Sequence, residues 1–121
     1  MSKTVLIVDD SESIREVVNA TLENAGYNVL VGVDGVDAQK HLDGQDISLV
    51  ITDLNMPNKD GIELIRDIRK EDDYKFIPIL LLTTESQSEK KMEAKAAGAT
   101  GWIVKPFVQE KLLATVRKVI R

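Results

Sequence analysis

The chain has no cysteine, a single histidine, and no apolar run that approaches the ~20 residues of a membrane-spanning helix. Without cysteine there is no disulfide framework to hold a small fold together, so any fold must rest on its core. No signal-peptide layout precedes the strand-like opening KTVLIV, and with the missing cysteine this points to a cytoplasmic protein that spans no membrane. An excess of positive charge is also absent: 16 basic residues face 20 acidic ones, for a net charge of -4, which argues against nucleic acid as a partner of the whole surface. Linkers and low-complexity tracts are missing too. Residues 1–121 are therefore expected to form a single domain with no output domain attached.

What is present suits a soluble globule. The 121 residues are 43% hydrophobic and 30% charged, enough for one core without staples. The charge is unevenly spread. From Ser86 onward eight basic residues stand against three acidic ones, so this third could receive an acidic partner or could simply present a solvated helical surface.

Two periods alternate along the chain. KTVLIVDD is a short apolar run, and the next segment places Ile14, Val17, Val18, Thr21, Leu22 and Ala25 at helical spacing, with a Ser13/Glu16 capping box at its start and Gly26 at its stop. YNVLVGV reads as a strand, with a short helix between Asp34 and Gly44. ISLVITDL and then a helix bearing Ile62, Ile65 and Ile68 follow. IPILLLTT begins beside Pro78, and Ser86 with Glu89 makes a second capping box before a helix whose inward candidates are Met92, Ala94, Ala96 and Ala97. GWIVK and a helix with Leu112, Leu113, Val116, Val119 and Ile120 complete the pattern. Five repeats of strand and helix, with strands apolar on both faces, predict an α/β fold: a doubly wound (βα)5 parallel five-stranded sheet covered on both sides.

In such a sheet all strands point their C-terminal ends to one edge, where ligands bind. The first strand ends in Asp9 and Asp10, the third in Asp53, the fourth in Thr83 and Thr84, and the fifth in Lys105. An acid such as Asp53, closing an apolar run, is either incidental or a site, and the other strand ends favour a site. Three converging carboxylates repel one another, and a hard divalent cation together with the lysine relieves that repulsion. Mg²⁺ suits the set, because it takes one or two carboxylates, keeps waters and completes its octahedron with phosphate oxygens. A closed calcium cage would need more ligands.

The VDD at the end of the first strand, Asp53, the following MPNKDG, Thr83 and the KPF after the fifth strand resemble the receiver domain of two-component response regulators. The resemblance covers essentially the whole chain and is strongest to the single-domain chemotaxis regulators. It implies a flavodoxin-like sheet of order 2-1-3-4-5. It also implies that Asp53 is the phosphoacceptor, taking a phosphoryl group from a phosphohistidine on a sensor histidine kinase. Asp10, Asp53 and the backbone carbonyl of Asn55 would hold Mg²⁺, with Asp9 acting through the metal's waters. Lys105 and Thr83 would bind phosphoryl oxygens, and the Lys105-Pro106 bond would be cis. Such a protein is a switch that promotes its own phosphorylation and dephosphorylation rather than an enzyme with a separate substrate.

The same resemblance places an aromatic switch at Trp102, where chemotaxis regulators usually carry tyrosine; the alternative is a packed aromatic with no such role. The fourth helix, fifth strand and fifth helix, bearing Trp102, Lys90, Lys91 and Lys118, are the expected output surface, because the fourth helix has little apolar bulk to anchor it. Asn55, Thr84 and Glu85 would tune dephosphorylation by water or by a phosphatase. His41 reads as a solvated residue of the second helix. The protein is expected to act as a monomer on a target such as a flagellar motor switch protein. A phosphorelay intermediate or phosphate sink uses the same pocket and stays open. An aspartyl-nucleophile phosphatase fits less well, since Asn55 stands where its second acid would be and no cap domain is evident.

Overall fold

The computed structural model describes residues 3–84 and 88–120, and in them strands and helices alternate strictly along the chain. The strands are β1 (Thr4–Val8), β2 (Asn28–Gly32), β3 (Leu49–Thr52), β4 (Ile79–Thr83) and β5 (Gly101–Val104). The helices are α1 (Glu12–Asn24), α2 (Gly35–Gln39), α3 (Gly61–Lys70), α4 (Ser88–Ala97) and α5 (Gln109–Val119). All strands pair in parallel in the order β2-β1-β3-β4-β5, which is the flavodoxin-like arrangement that the resemblance implied.

The two-residue period of a strand divides the core in two. Leu6, Val8, Val50, Ile79 and Leu81 cluster with Ile62, Ile65 and Ile68 of α3 and Ala94 of α4. Their neighbours Val5, Ile7, Leu49, Ile51, Leu80 and Leu82 cluster with Val18 and Leu22 of α1 and Leu112 and Val116 of α5. Each fully buried aliphatic side chain contributes roughly 1.5–3 kcal/mol, and β1, β3 and β4 supply most of them because both their faces are covered. The edge strand β5 is only half-buried.

Several expected details shift. The cap of α1 is Ser11, not Ser13: Ser11 is extended and its Oγ accepts from the Ile14 N–H at 3.4 Å, so the helix begins earlier than the Ser13/Glu16 box required. Val17 then turns outward and is 43% exposed. Helix α2 stops at Gln39 and does not extend toward Gly44. His41 therefore lies beyond it, half-buried, with Nε2 3.0 Å from the Val31 carbonyl oxygen. Met92 points to solvent at 71% exposure, so Ala94 is the one buried residue of α4. The Ser86/Glu89 box falls on Ser86, which lies outside the described residues. A capping box occurs instead on α3, between Asp60 and Glu63.

The weak packing of α4 is offset at its C-terminal end. Arg69 of α3 donates to the Gly98 carbonyl from Nη2 at 2.7 Å and Nε at 3.2 Å, and from Nη1 to the carbonyls of Ile77 (2.6 Å) and Lys75 (3.0 Å). One guanidinium thus ties α4 to the start of β4. No helix among the described residues is long and apolar enough to cross a membrane.

Candidate functional site

Backbone hydrogen bonds carry the ladder just past the strand ends and bring the polar residues level. Asp9 N–H donates to Gly32 O at 3.2 Å, Asp53 N–H to Val8 O at 2.8 Å, and Lys105 N–H to Thr83 O at 2.9 Å. Asp9 and Asp53 are buried, at 2% and 8% exposure, whereas Asp10 is exposed. A carboxylate oxygen of each lies within 4.8 Å of the others. The apolar strands explain this placement: they hold the backbone rigidly, and the first polar side chain after each has nowhere to go but the shared edge.

Each buried acid is oriented. Asp53 Oδ1 accepts from the Leu54 N–H at 2.7 Å, leaving Oδ2 toward Lys105 Nζ at 3.4 Å. Asp9 Oδ1 accepts from the Ser11 N–H at 2.9 Å, and its Oδ2 receives Lys105 Nζ at 2.7 Å. Arg15 donates to the Asp9 carbonyl oxygen at 2.7 Å, which fastens the turn between β1 and α1. Burial pushes the Asp9 carboxyl above its ordinary 3.8, while the hydrogen bonds from Lys105 and Ser11 pull it back. Lys105 pairs with two of the three carboxylates, Asp9 and Asp53, and Asp10 lies within 4.8 Å of both acids. That all-oxygen donor set fits a hard divalent ion such as Mg²⁺.

Close packing beneath Asp53 fixes its backbone. The Gly61 N–H donates to Leu54 O at 2.8 Å, and a Cβ on Gly61 would lie 2.3 Å from the Asp53 carbonyl oxygen. Only glycine lets α3 begin so near Asp53. Asn55 is exposed two residues beyond Asp53, Thr83 is fully buried at the end of β4 opposite Val104, and Thr84 is exposed. Glu85 lies outside the described residues. The Lys105-Pro106 bond is cis.

The candidate output residues separate. Trp102 is half-buried against the α3/α4 core cluster, and its Nε1 is buried without a partner among the described residues. Lys91 Nζ stands 5.5 Å from its ring centroid. Between them lies a groove of about 250 Å³ that Lys95 also lines. Lys90 pairs instead with Glu93 at 3.8 Å, and Lys118 is exposed on α5. Lys95 lines the groove although it is not among the expected output residues. Its i,i+4 spacing from Lys91 was the available signal.

Residues 5–117 match the response regulator receiver domain. The chain belongs to that family. It is 38% identical to the chemotaxis protein CheY-3 of Vibrio cholerae over 116 residues, covering 95% of this chain and 89% of that protein. The crystal structure of Vibrio cholerae CheY4 superposes with a TM-score of 0.94 at 48% identity, over 98% of this chain and 99% of that one. A receiver domain of a Pseudomonas aeruginosa sensor histidine kinase, described with magnesium coordinated in its active-site cleft, superposes with a TM-score of 0.91 at 26% identity, over 99% of this chain and 98% of that one. The chain is thus a receiver of the CheY type, similar to chemotaxis proteins over nearly its whole length.

Proposed function

We propose that this protein is a cytoplasmic switch in which a sensor histidine kinase phosphorylates Asp53 and the change is read by a target protein, in chemotaxis a component of the flagellar motor switch. The observation that carries the reading is the convergence of Asp9, Asp10 and Asp53 within 4.8 Å around Lys105. Phosphoryl transfer asks for positioning and charge neutralisation more than for a general base, and this edge supplies both.

Asp53 Oδ1 is occupied by the Leu54 N–H, which leaves Oδ2 as the attacking atom. Oδ2 forms a bond to phosphorus as the bond from phosphorus to the kinase imidazole breaks, and the imidazole nitrogen regains a proton from solvent. Asp10, Asp53 and the backbone carbonyl of Asn55 would hold Mg²⁺ with Asp9 behind them, and a bound ion would supply charge neutralisation for phosphoryl oxygens. Lys105 moves toward the new phosphoryl oxygens, and the Thr83 hydroxyl binds one of them. Water attack on phosphorus returns Asp53 and inorganic phosphate, with Asn55, Thr84 and Glu85 governing its access. The protein promotes its own turnover and is not an enzyme with a second substrate.

The output reading rests on the groove of Lys91, Lys95 and Trp102. Its lysines suit an acidic amphipathic segment, and an indole N–H without an acceptor among the described residues favours a second ring position that provides one. A relay intermediate or phosphate sink would need no such groove, so the groove favours the switch.

The test is Trp102 fluorescence during titration with Mg²⁺ and then beryllofluoride, a mimic of the acyl phosphate, in wild type and Asp53→Asn. The expected result is a response to both ligands in wild type and none to beryllofluoride in the variant. A flat beryllofluoride response in Mg²⁺-bound wild type overturns the coupling to Trp102. Phosphate on Asp53→Asn at wild-type stoichiometry overturns the acceptor.

A further inference from the structure

The connection from β3 to α3 carries Asn55, and its far side is held by the connection from β2 to α2. Asn58 sits at φ +69, in the left-handed region that asparagine tolerates better than most residues. Its side-chain Nδ2 donates to Asp34 Oδ2 at 2.8 Å. The other oxygen of the same carboxylate, Oδ1, accepts from the Asp37 N–H at 2.8 Å and caps α2. One carboxylate therefore spans two connections separated by 24 positions. The backbones also touch there: a Cβ on Gly35 would lie 2.7 Å from the Lys59 carbonyl oxygen. Lys59 Nζ is held in turn by Asp67 and by Gln39, the latter at 3.1 Å. Segment 55–60 is thus clamped from the α2 side at positions 58 and 59, while Asn55 itself is exposed at the acceptor end.

A loop that must order itself when a metal binds loses affinity in proportion to the freedom it gives up, and one already ordered does not. Residues behind the ligands of a metal commonly shift its affinity by roughly 10–100-fold when removed. We infer that Asp34 is a positioning residue for the acceptor loop, holding segment 55–60 through Asn58 in the conformation that lets Asn55 serve the metal site, and so setting the Mg²⁺ affinity of the switch. The inference rests on reading the Asp9, Asp10 and Asp53 cluster as a Mg²⁺ pocket. The clamp joins the side chains of Asp34 and Asn58, neither of which is itself among the proposed ligands.

Two substitutions separate the clamp from its surroundings. Asp34→Ser retains an oxygen to cap α2 and loses the arm to Asn58, while Asn58→Gly retains the positive φ and loses the amide. Calorimetric titration with MgCl₂ is expected to show each variant binding about tenfold more weakly than wild type, and the double variant no more weakly than either. Asp34→Asn is expected to restore affinity, because an asparagine can cap α2 with its oxygen and offer its amide to a flipped Asn58 side chain. Wild-type affinity in both single variants, at unchanged folding by circular dichroism, overturns the inference. So does a double variant whose loss is the product of the two single losses. If Asp34→Ser does not fold, Asn58→Gly alone decides. Wild-type protein that releases no Mg²⁺-dependent heat, or the same heat as Asp10→Asn, would bring down the metal-pocket reading and the inference with it; normal wild-type binding with unaffected clamp variants brings down only the inference.

Discussion

Lys105 Nζ lies 2.7 Å from Asp9 Oδ2 and 3.4 Å from Asp53 Oδ2, so the lysine leans on the deeper acid and only reaches toward Asp53. The partners are 96 positions apart in the chain. In this arrangement Lys105 balances the negative charge of both buried acids.

Lys105→Met should therefore expose the cost of the acidic edge. Removing one partner of a buried ion pair leaves uncompensated charge at a cost of roughly 3–5 kcal/mol. Urea unfolding without Mg²⁺ is expected to show a loss of this order, and saturating Mg²⁺ should restore more stability to the variant than it adds to wild type. Phosphorylation of Asp53 should persist while the Trp102 response disappears. An equal Mg²⁺ increment in both proteins would contradict the balancing role.

Gly61→Ala tests the packing beneath the acceptor. A Cβ 2.3 Å from the Asp53 carbonyl oxygen cannot be accommodated without moving backbone, and overpacking of this kind costs roughly 1–3 kcal/mol. Both the unfolding midpoint and the Mg²⁺ affinity are expected to fall. A stable variant with normal Mg²⁺ affinity would show that the acceptor backbone tolerates the shift.

Tyr74 supplies a pH dependence far from the site. Its hydroxyl donates to Gln45 O at 2.7 Å and accepts from the Gly44 N–H at 2.9 Å. Burial pushes the phenol above its ordinary 10.0, with the Gly44 bond partly opposing. The unfolded chain then loses the phenolic proton first, so stability is intact below about pH 10 and declines as pH rises from there through the folded-state value. Tyr74→Phe should cost about 0.5–1.5 kcal/mol at neutral pH through the lost hydrogen bonds, since Gly44 and Gln45 are exposed and can bond water instead. It should also flatten the alkaline decline, which unfolding curves across pH 9 to 11 would reveal.

Arg69→Met keeps the apolar stem and removes the donors to Gly98, Ile77 and Lys75. Loss of charged hydrogen bonds to three carbonyls is expected to destabilise the protein by roughly 2–3 kcal/mol. Hydrogen exchange should show α4 losing protection ahead of α1, since Ala94 is the only residue of α4 that is buried. Uniform loss across all helices would mean that Arg69 supports the fold globally and not α4 in particular.

The legible features were those that depend on local periods. Runs such as VLIV, LVI and ILLL are apolar at every position, and such runs read as central parallel strands once helical periods separate them. Features that depend on which way a helix is rotated were harder to read. Met92 and Val17 are apolar and at helical spacing, yet they face solvent, because the first turn of α1 and the position of α4 are set by caps and by Arg69. Ser11 was hidden as a cap because Ser13 offers the same chemistry two positions on.

The sequence by itself determined the order of strands and helices, the two-faced core, and the gathering of Asp9, Asp10, Asp53, Thr83 and Lys105 at one edge, because each follows from a local apolar run and the polar residue that ends it. Only the tertiary structure decided that Lys105 favours Asp9 over Asp53, that Lys95 and Lys91, not Lys90, line the groove beside Trp102, and that Asp34 grips Asn58. These outcomes join side chains from separate elements, and their distances are fixed by the rotation of each helix and the path of each loop after the core has packed.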